Sequence, residues 1–298
     1  MVGKVALLVY AGVLYSSRRQ LNQNIRIAQT IHGPIEYRRE GSGPVVLVLN
    51  GGHCSRNTRL SHERLASEGF TVITPSRPGY DTTPASVGRT AHQAAHALAS
   101  LLDVLNIPKA AVIGISAAGP TAITFAQHYP ARTSSLILES AVTLEWEAKI
   151  KRTARLLFGR TEALTWFVLK RALALMPTIT TRAMMGEFTT LKVSDVWRRM
   201  SPNDIMFVQQ MIGSMQSGTG FMLDIEHHVD ALHTIQVPVL VMYSPFDKSV
   251  PPRHAQRMAR EVSYCELYEV QADSHLIWIG SEADRVWRKR LSFLQVQQ

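Results

Sequence analysis

The chain has 298 residues, 46% of them hydrophobic and 18% charged, a mixture that lets a chain this long bury about 75% of its extended surface and excludes a disordered or fibrous polymer. The formal net charge of +9 raises nucleic acid or an anionic membrane as partners. No nucleic-acid recognition motif accompanies it, and the cations are concentrated, since residues 145–200 hold 11 Lys/Arg against 5 Asp/Glu.

Residues 1–23 read as an apolar and basic helix. Its apolar run, 5–15, is too short to cross a bilayer, where about 20 residues are needed, and Arg18-Arg19 stands where a small-residue cleavage site would be expected. The segment reads as a packing helix, as a peripheral membrane contact through 1–19, or as a secretion signal. Spans 24–30 and 35–39 around His32-Gly33-Pro34 predict an opening hairpin. The apolar run 45–49 ends at Asn50-Gly51-Gly52, as a strand buried on both faces does, and a second such run, 70–74, stops at Pro75. Cys54 forms neither a disulfide framework nor a CxxC pattern with Cys265, so a reducing, cytoplasmic setting is expected. Ala91, Ala94, Ala95, Leu98, Leu101, Leu102 and Leu105 follow helical spacing and lead into a strand over 110–113. Ser116 comes next, followed by a helix over 117–128 and a strand over 136–138.

After Ser140 the alternation stops. Residues 145–222 carry helical patterns only, broken near Gly159, Pro177, Gly186, Ser201-Pro202 and Ser217-Gly218. Alternation resumes with a strand over 237–242, a helix over 252–262, a strand over 265–270 and a last helix over 281–295. This order predicts an α/β fold with a mostly parallel sheet flanked by helices, formed by 24–144 and 223–298, and a helical cap inserted at 145–222.

Gly114-Ile115-Ser116-Ala117-Ala118-Gly119 lies between a predicted strand and a predicted helix. A nucleophilic serine on such a turn needs small neighbours, because its backbone is strained and the helix must pack close to the strand. Gly114, Ala118 and Gly119 supply them. The N–H groups that open the helix favour negative charge developing beside Ser116. Taken alone, the segment fits a chance serine in a turn equally well.

The segment resembles the G-x-S-x-G elbow of the α/β-hydrolase family, with alanine at the fifth position and glycine at the sixth. Outside the insertion the resemblance covers 35–294. Asn50-Gly51-Gly52-His53 takes the place of the family's H-G-x loop, with Asn50 for the usual histidine. It implies an oxyanion hole made by the backbone N–H groups of Gly52 and Ala117; the alternative is a plain turn. Pro75-Ser76-Arg77-Pro78-Gly79-Tyr80-Asp81 is similar to P-D-x-P-G-x-G. Tyr243-Ser244-Pro245-Phe246-Asp247-Lys248-Ser249-Val250-Pro251 is similar to G-x-x-D-x-x-V-P and implies Asp247 as the acid of a triad. A turn aspartate is the alternative there, and Glu139, ending the preceding strand, is the fallback acid. Ala272-Asp273-Ser274-His275-Leu276-Ile277-Trp278 is similar to a G-H-x-x-x-W segment and implies His275 as general base.

The family's fold implies about eight strands and a Ser116, Asp247, His275 triad in the expected chain order. The chemistry implied is cleavage of a carboxylic ester through an acyl-enzyme, with no metal and no cofactor. The same triad serves amides, thioesters, carbon–carbon bonds and acyl transfer, and a non-catalytic ligand-binding protein on this fold is the reading from another class. The expected partner is a small, apolar acyl substrate and not nucleic acid. Cations and large apolar residues interleave from Lys149 to Leu175, which fits either an ordinary helix face or a basic amphipathic lid against an anionic interface or an acyl chain. The frequent methionines, Met176 to Met222, suit a flexible pocket wall or a core.

Overall fold

The computed structural model describes residues 25–297, so the helix predicted over 1–23 lies outside the described residues. Eight strands form one sheet: β1 (Ile25–Thr30), β2 (Gly33–Gly41), β3 (Val45–Leu49), β4 (Thr71–Pro75), β5 (Ala110–Ile115), β6 (Thr133–Glu139), β7 (Val239–Tyr243) and β8 (Cys265–Glu269). Their order across the sheet is β1-β2-β4-β3-β5-β6-β7-β8. β2 pairs antiparallel with β1 and with β4, and every other pairing is parallel.

The period of two along β3 shows why the middle strands are continuously apolar. Leu47 and Leu49 pack into one core with Leu98, Leu101 and Phe125, while Val46 and Val48 pack into the other with Leu65, Phe70 and Ile113. A parallel strand covered by helices on both sides has no polar face to present. The first core is closed by α1 (Ala91–Val104), α2 (Gly119–His128) and, through Ala255 and Met258, a helix over Arg253–Glu261. Thr90 caps α1 by accepting the Gln93 N–H at 3.2 Å.

Between β6 and β7 the chain runs through six helices: α3 (Ala148–Phe158), α4 (Glu162–Leu175), α5 (Pro177–Phe188), α6 (Val193–Arg199), α7 (Pro202–Ser214) and α8 (Gly220–Asp224). The helix over Arg253–Glu261 is then α9, and α10 spans Ala283–Val296. Pro177 opens α5 at a position where its missing N–H is harmless, and Ser201 with Asp204 forms a reciprocal capping box at the start of α7. The break expected near Gly186 is displaced: Gly186 lies inside α5, which continues to Phe188. One glycine costs a helix only about 1 kcal/mol, and the packing of Met185 in the core holds the last turn together. Met185, Met211 and Met215 are buried in that core, whereas Met176 and Met206 face solvent.

Glu139, at the end of β6, is fully buried and committed elsewhere than a triad. Arg290 of α10, also fully buried, donates to it through Nε at 2.6 Å and Nη2 at 3.0 Å. His62 Nε2 lies 3.0 Å from the same carboxylate, and the Trp278 indole donates to it as well. Burial alone would raise the Glu139 pKa, but Arg290 and His62 outweigh it and hold the group well below the usual carboxylate range. Removing one partner of a buried ion pair leaves the other uncompensated. Arg290→Met should therefore lower the unfolding free energy by roughly 3–5 kcal/mol, read from urea midpoints, and Arg290→Met/Glu139→Leu should recover part of that loss.

Candidate active site

Ser116, Asp247 and His275 all stand in loops beyond the C-terminal ends of parallel strands, following β5, β7 and β8. Ser116 has φ +50° and begins a single turn of 3-10 helix over Ser116–Ala118 that leads into α2. A left-handed serine is strained, and its neighbours explain how the turn is accommodated. A Cβ on Gly114 would come within 2.5 Å of Ala122 Cβ, and one on Gly119 within 2.2 Å of the Val142 carbonyl oxygen. The glycine required for close packing thus stands one place later than the family pattern, and Ala118 fits with no exposed surface.

His275 Nδ1 lies 2.7 Å from Asp247 Oδ2, and both side chains are buried. A carboxylate only accepts, so Nδ1 carries a proton, and the neutral tautomer compatible with this bond has its lone pair on Nε2. The other Asp247 oxygen accepts the Val250 N–H at 2.8 Å. Asp247 therefore serves both readings, turn aspartate and partner of the histidine. Among the described residues no hydrogen bond joins the Ser116 hydroxyl to the imidazole; such bonds commonly tighten only around a bound substrate. One loop nonetheless tethers the two: Ser140 Oγ donates to the His275 carbonyl and Val142 N–H to the Ser116 carbonyl, each at 2.9 Å.

The loop after β3 reaches the same place. A Cβ on Gly51 would meet Ser116 Cβ at 3.0 Å, and one on Gly52 would meet Ala117 Cβ at 3.3 Å and the Phe221 ring at 2.9 Å. Gly52 N–H has no acceptor among the described residues. Ala117 is the second residue of its turn, where a helical N–H lies outside the internal bonding.

The sequence reading missed what holds this loop. Arg77 Nε donates to the Asn50 carbonyl at 2.8 Å and Nη2 to the Gly51 carbonyl at 3.0 Å. Its guanidinium also pairs with Asp224 of α8, Nη2 to Oδ2 at 2.8 Å, and Tyr80 donates to the same oxygen at 2.6 Å. Burial would depress the Arg77 pKa, but Asp224 and Tyr80 raise it. In a trans peptide the Gly51 carbonyl and the Gly52 N–H point opposite ways. Fixing the carbonyl on Arg77 therefore aims the N–H away from it, and the cation polarises the same group. The motif containing Arg77 was visible in the sequence, but its partner Asp224 lies 147 residues away and carried no signal.

Two further positions were missed. At the end of α5 the Phe188 carbonyl accepts the His275 N–H at 2.8 Å and the Lys248 N–H at 3.4 Å, while Thr190 N–H donates to Phe246 O at 3.0 Å. Thr189 bridges to Asp247, so the insertion ties the acid loop to the histidine loop. His53, beside Gly52, packs against Phe158, Trp166 and Phe221 with ring centroids 4.3, 5.1 and 3.9 Å away. Trp166 Nε1 donates to Ser217 Oγ at 3.0 Å, and Ser217 Oγ lies 2.6 Å from His53 Nδ1. The indole can only donate, so full satisfaction of the Ser217 hydroxyl has it donating to Nδ1 of a neutral His53. A separate cavity of about 580 Å³ lies beside Thr90, His92, His128 and Asp230 and contains none of these residues.

Comparison with known proteins agrees with this architecture. A family model described as alpha/beta hydrolase fold matches residues 44–279. An uncharacterized hydrolase, YcgS, of Bacillus subtilis (strain 168) is 34% identical over 271 residues, 88% of this chain and 95% of the relative. A 2-hydroxy-6-oxo-6-phenylhexa-2,4-dienoate hydrolase of Burkholderia cepacia is 33% identical over 104 residues, 33% of this chain and 36% of that protein. The solved structure of an alpha/beta hydrolase fold protein from Nakamurella multipartita superposes with a TM-score of 0.79 at 25% identity, covering 92% of this chain and all of that one.

Burial foremost, with the nearby Arg77 charge, lowers the His53 pKa to about 3, against an unfolded value of about 6.5. Below about pH 6.5 the unfolded chain binds one more proton at this position, so the folded state loses stability as pH falls toward the folded value. His53→Asn keeps an acceptor for Ser217 but does not titrate. Urea titrations across this range should show the acid loss reduced by up to about one proton in the variant.

Proposed function

We propose that this chain, which belongs to the α/β-hydrolase fold family, is a serine hydrolase that cleaves a carboxylic ester of an apolar acyl substrate. The single observation that carries the reading is the buried 2.7 Å hydrogen bond from His275 to Asp247 at the rim where Ser116 stands in a strained turn. The same bond in a ligand-binding relic would hold a carboxylate and an imidazole out of water with nothing to act on.

In this reading His275 Nε2 takes the Ser116 proton as Oγ attacks the carbonyl, and Asp247 steadies the ring and the imidazolium that forms. The N–H groups of Gly52 and Ala117 receive the oxyanion. The tetrahedral intermediate collapses, His275 protonates the departing alcohol, and water activated by the same histidine releases the acid. Arg77 acts through the Gly51–Gly52 peptide as a positioning residue. Phe158, Trp166 and Phe221, crowded over the oxyanion loop, supply an apolar wall for the acyl group.

A second reading, cleavage of a carbon–carbon bond next to a carbonyl, draws support from the partial similarity to the dienoate hydrolase. The triad would act on it with the same groups.

Labelling with a fluorophosphonate probe and turnover of p-nitrophenyl esters from acetate to palmitate test the assignment. Ser116→Ala should abolish labelling and lower kcat by at least about a thousandfold; retained turnover in that variant would end the proposal. Arg77→Lys keeps a cation beside Asp224 but cannot reach both carbonyls in one plane. It should lower kcat about tenfold to a hundredfold with KM nearly unchanged, as expected when a transition-state interaction alone is weakened.

A further inference from the structure

Helix α4 is apolar on both sides. Trp166, Leu169 and Leu173 face inward to the core, while Leu164, Phe167, Val168 and Leu175, at helical spacings of three, four and seven, are 62, 57, 56 and 79% exposed. A surface helix ordinarily turns one apolar stripe inward and solvates the other. The neighbours on which α4 packs continue the pattern: Ile150, Leu156 and Leu157 on α3, then Met176 and Ile179 at the start of α5, are exposed as well. Nine of the sixteen exposed large hydrophobic residues among those described thus fall within 30 residues, 150–179. That concentration exceeds the scatter of single apolar residues on an ordinary surface.

The charge around them is one-sided. Across 148–186 stand eight Lys/Arg and one acid, Glu162, whose carboxylate accepts the Ser217 and Gly218 N–H groups; two of the eight, Lys151 and Arg155, pair with Glu145 and Glu226 from outside the stretch. Lys149 and Arg152 share a stripe of α3 with Leu156 at spacings of three and four, Arg160 follows just past the end of the helix, and all four are exposed. Arg171 lies over the Phe167 ring, its centre 5.2 Å from the centroid. A second copy of the chain would bring these cations onto their own kind, so self-association is disfavoured and an anionic partner favoured. Apolar side chains spread over three helices with cations among them suit the boundary between headgroups and acyl chains. No described helix is long and apolar enough to cross a membrane.

We propose that α3, α4 and the start of α5 form a docking surface that seats this protein on an anionic lipid bilayer. The inward faces of the same helices, Phe158 and Trp166, lie against His53 beside the oxyanion loop, so docking places the candidate site directly behind the bound face. The surface is read from exposure and charge alone and does not depend on the proposed chemistry.

Flotation of the full chain with vesicles of phosphatidylcholine and phosphatidylglycerol in equal parts, against pure phosphatidylcholine, tests the surface without any turnover. Binding is expected on the anionic vesicles, weaker on the neutral ones and weakened by salt. Leu164→Ser/Phe167→Ser/Leu175→Ser changes only exposed positions and should lower the partition coefficient at least about tenfold. Lys149→Gln/Arg152→Gln/Arg160→Gln should abolish the preference for anionic vesicles; circular dichroism checks that both variants are folded. Equal binding to both vesicle types, no binding to either, or wild-type binding by the serine variant would overturn the proposal. The last outcome would assign membrane contact to residues 1–19. Ser116→Ala should bind as the wild type does, so failure of the catalytic reading and failure of the docking surface are read separately.

Discussion

The Arg77 guanidinium is the contact on which the region around Ser116 depends. A planar cation sits out of water and spends four of its five donors on two carbonyls of the loop after β3 and on Asp224 from the insertion. Desolvating an arginine is costly, and a single carboxylate seldom offsets it without further hydrogen bonds. Here Asn50, Gly51 and Tyr80 complete the set. These contacts turn the Asn50 and Gly51 carbonyls toward Arg77 and the Gly52 N–H away from it. The contact also joins what the sequence presents as separate pieces. The insertion contributes a counter-ion to the sheet's own loop, and through Phe188 and Thr189 it also straps the acid loop to the histidine loop. Helices α4 to α7 add Trp166, Met185, Val196 and Val208 to the second core, and α3 and α8 form a small cluster of their own around Ala154 and Phe221.

Elements whose pattern is local were legible in the chain. The buried run at 45–49 coincides with β3, the alanine and leucine spacing after Thr90 gave α1, and the loss of alternation after Ser140 marked the helical excursion. The small residues around Ser116 also had a local cause, the approach of Ala122 and Val142. Relations between distant residues were not legible. Nothing in the stretch around Asp224 signals a partner for Arg77, and nothing after Gly186 signals that Phe188 will receive two loops. Glu139 illustrates the converse error. Its place at a strand end invited a catalytic reading, but Arg290, 151 residues later, claims it for a buried ion cluster. A titratable residue at the right rim is ambiguous until its neighbours are known.

The insertion combines two demands on the same helices. Inward, Phe158, Trp166 and Phe221 close around His53, and the Trp166–Ser217–His53 chain of hydrogen bonds fixes their relative placement. Outward, α4 shows leucines, a valine and a phenylalanine to solvent. The basic excess noticed in the composition is therefore not a uniform property of the surface, because most of it belongs to the helices that carry these apolar side chains.

If Ser116 is the nucleophile proposed above, its left-handed backbone sets folding against chemistry at a single residue. Holding a residue with a Cβ at φ +50° costs on the order of 1–3 kcal/mol, and glycine would relieve it without disturbing any neighbour. A search of variants for thermal endurance alone, blind to turnover, would thus be drawn toward glycine at this position and yield a sturdier chain with no hydroxyl to offer.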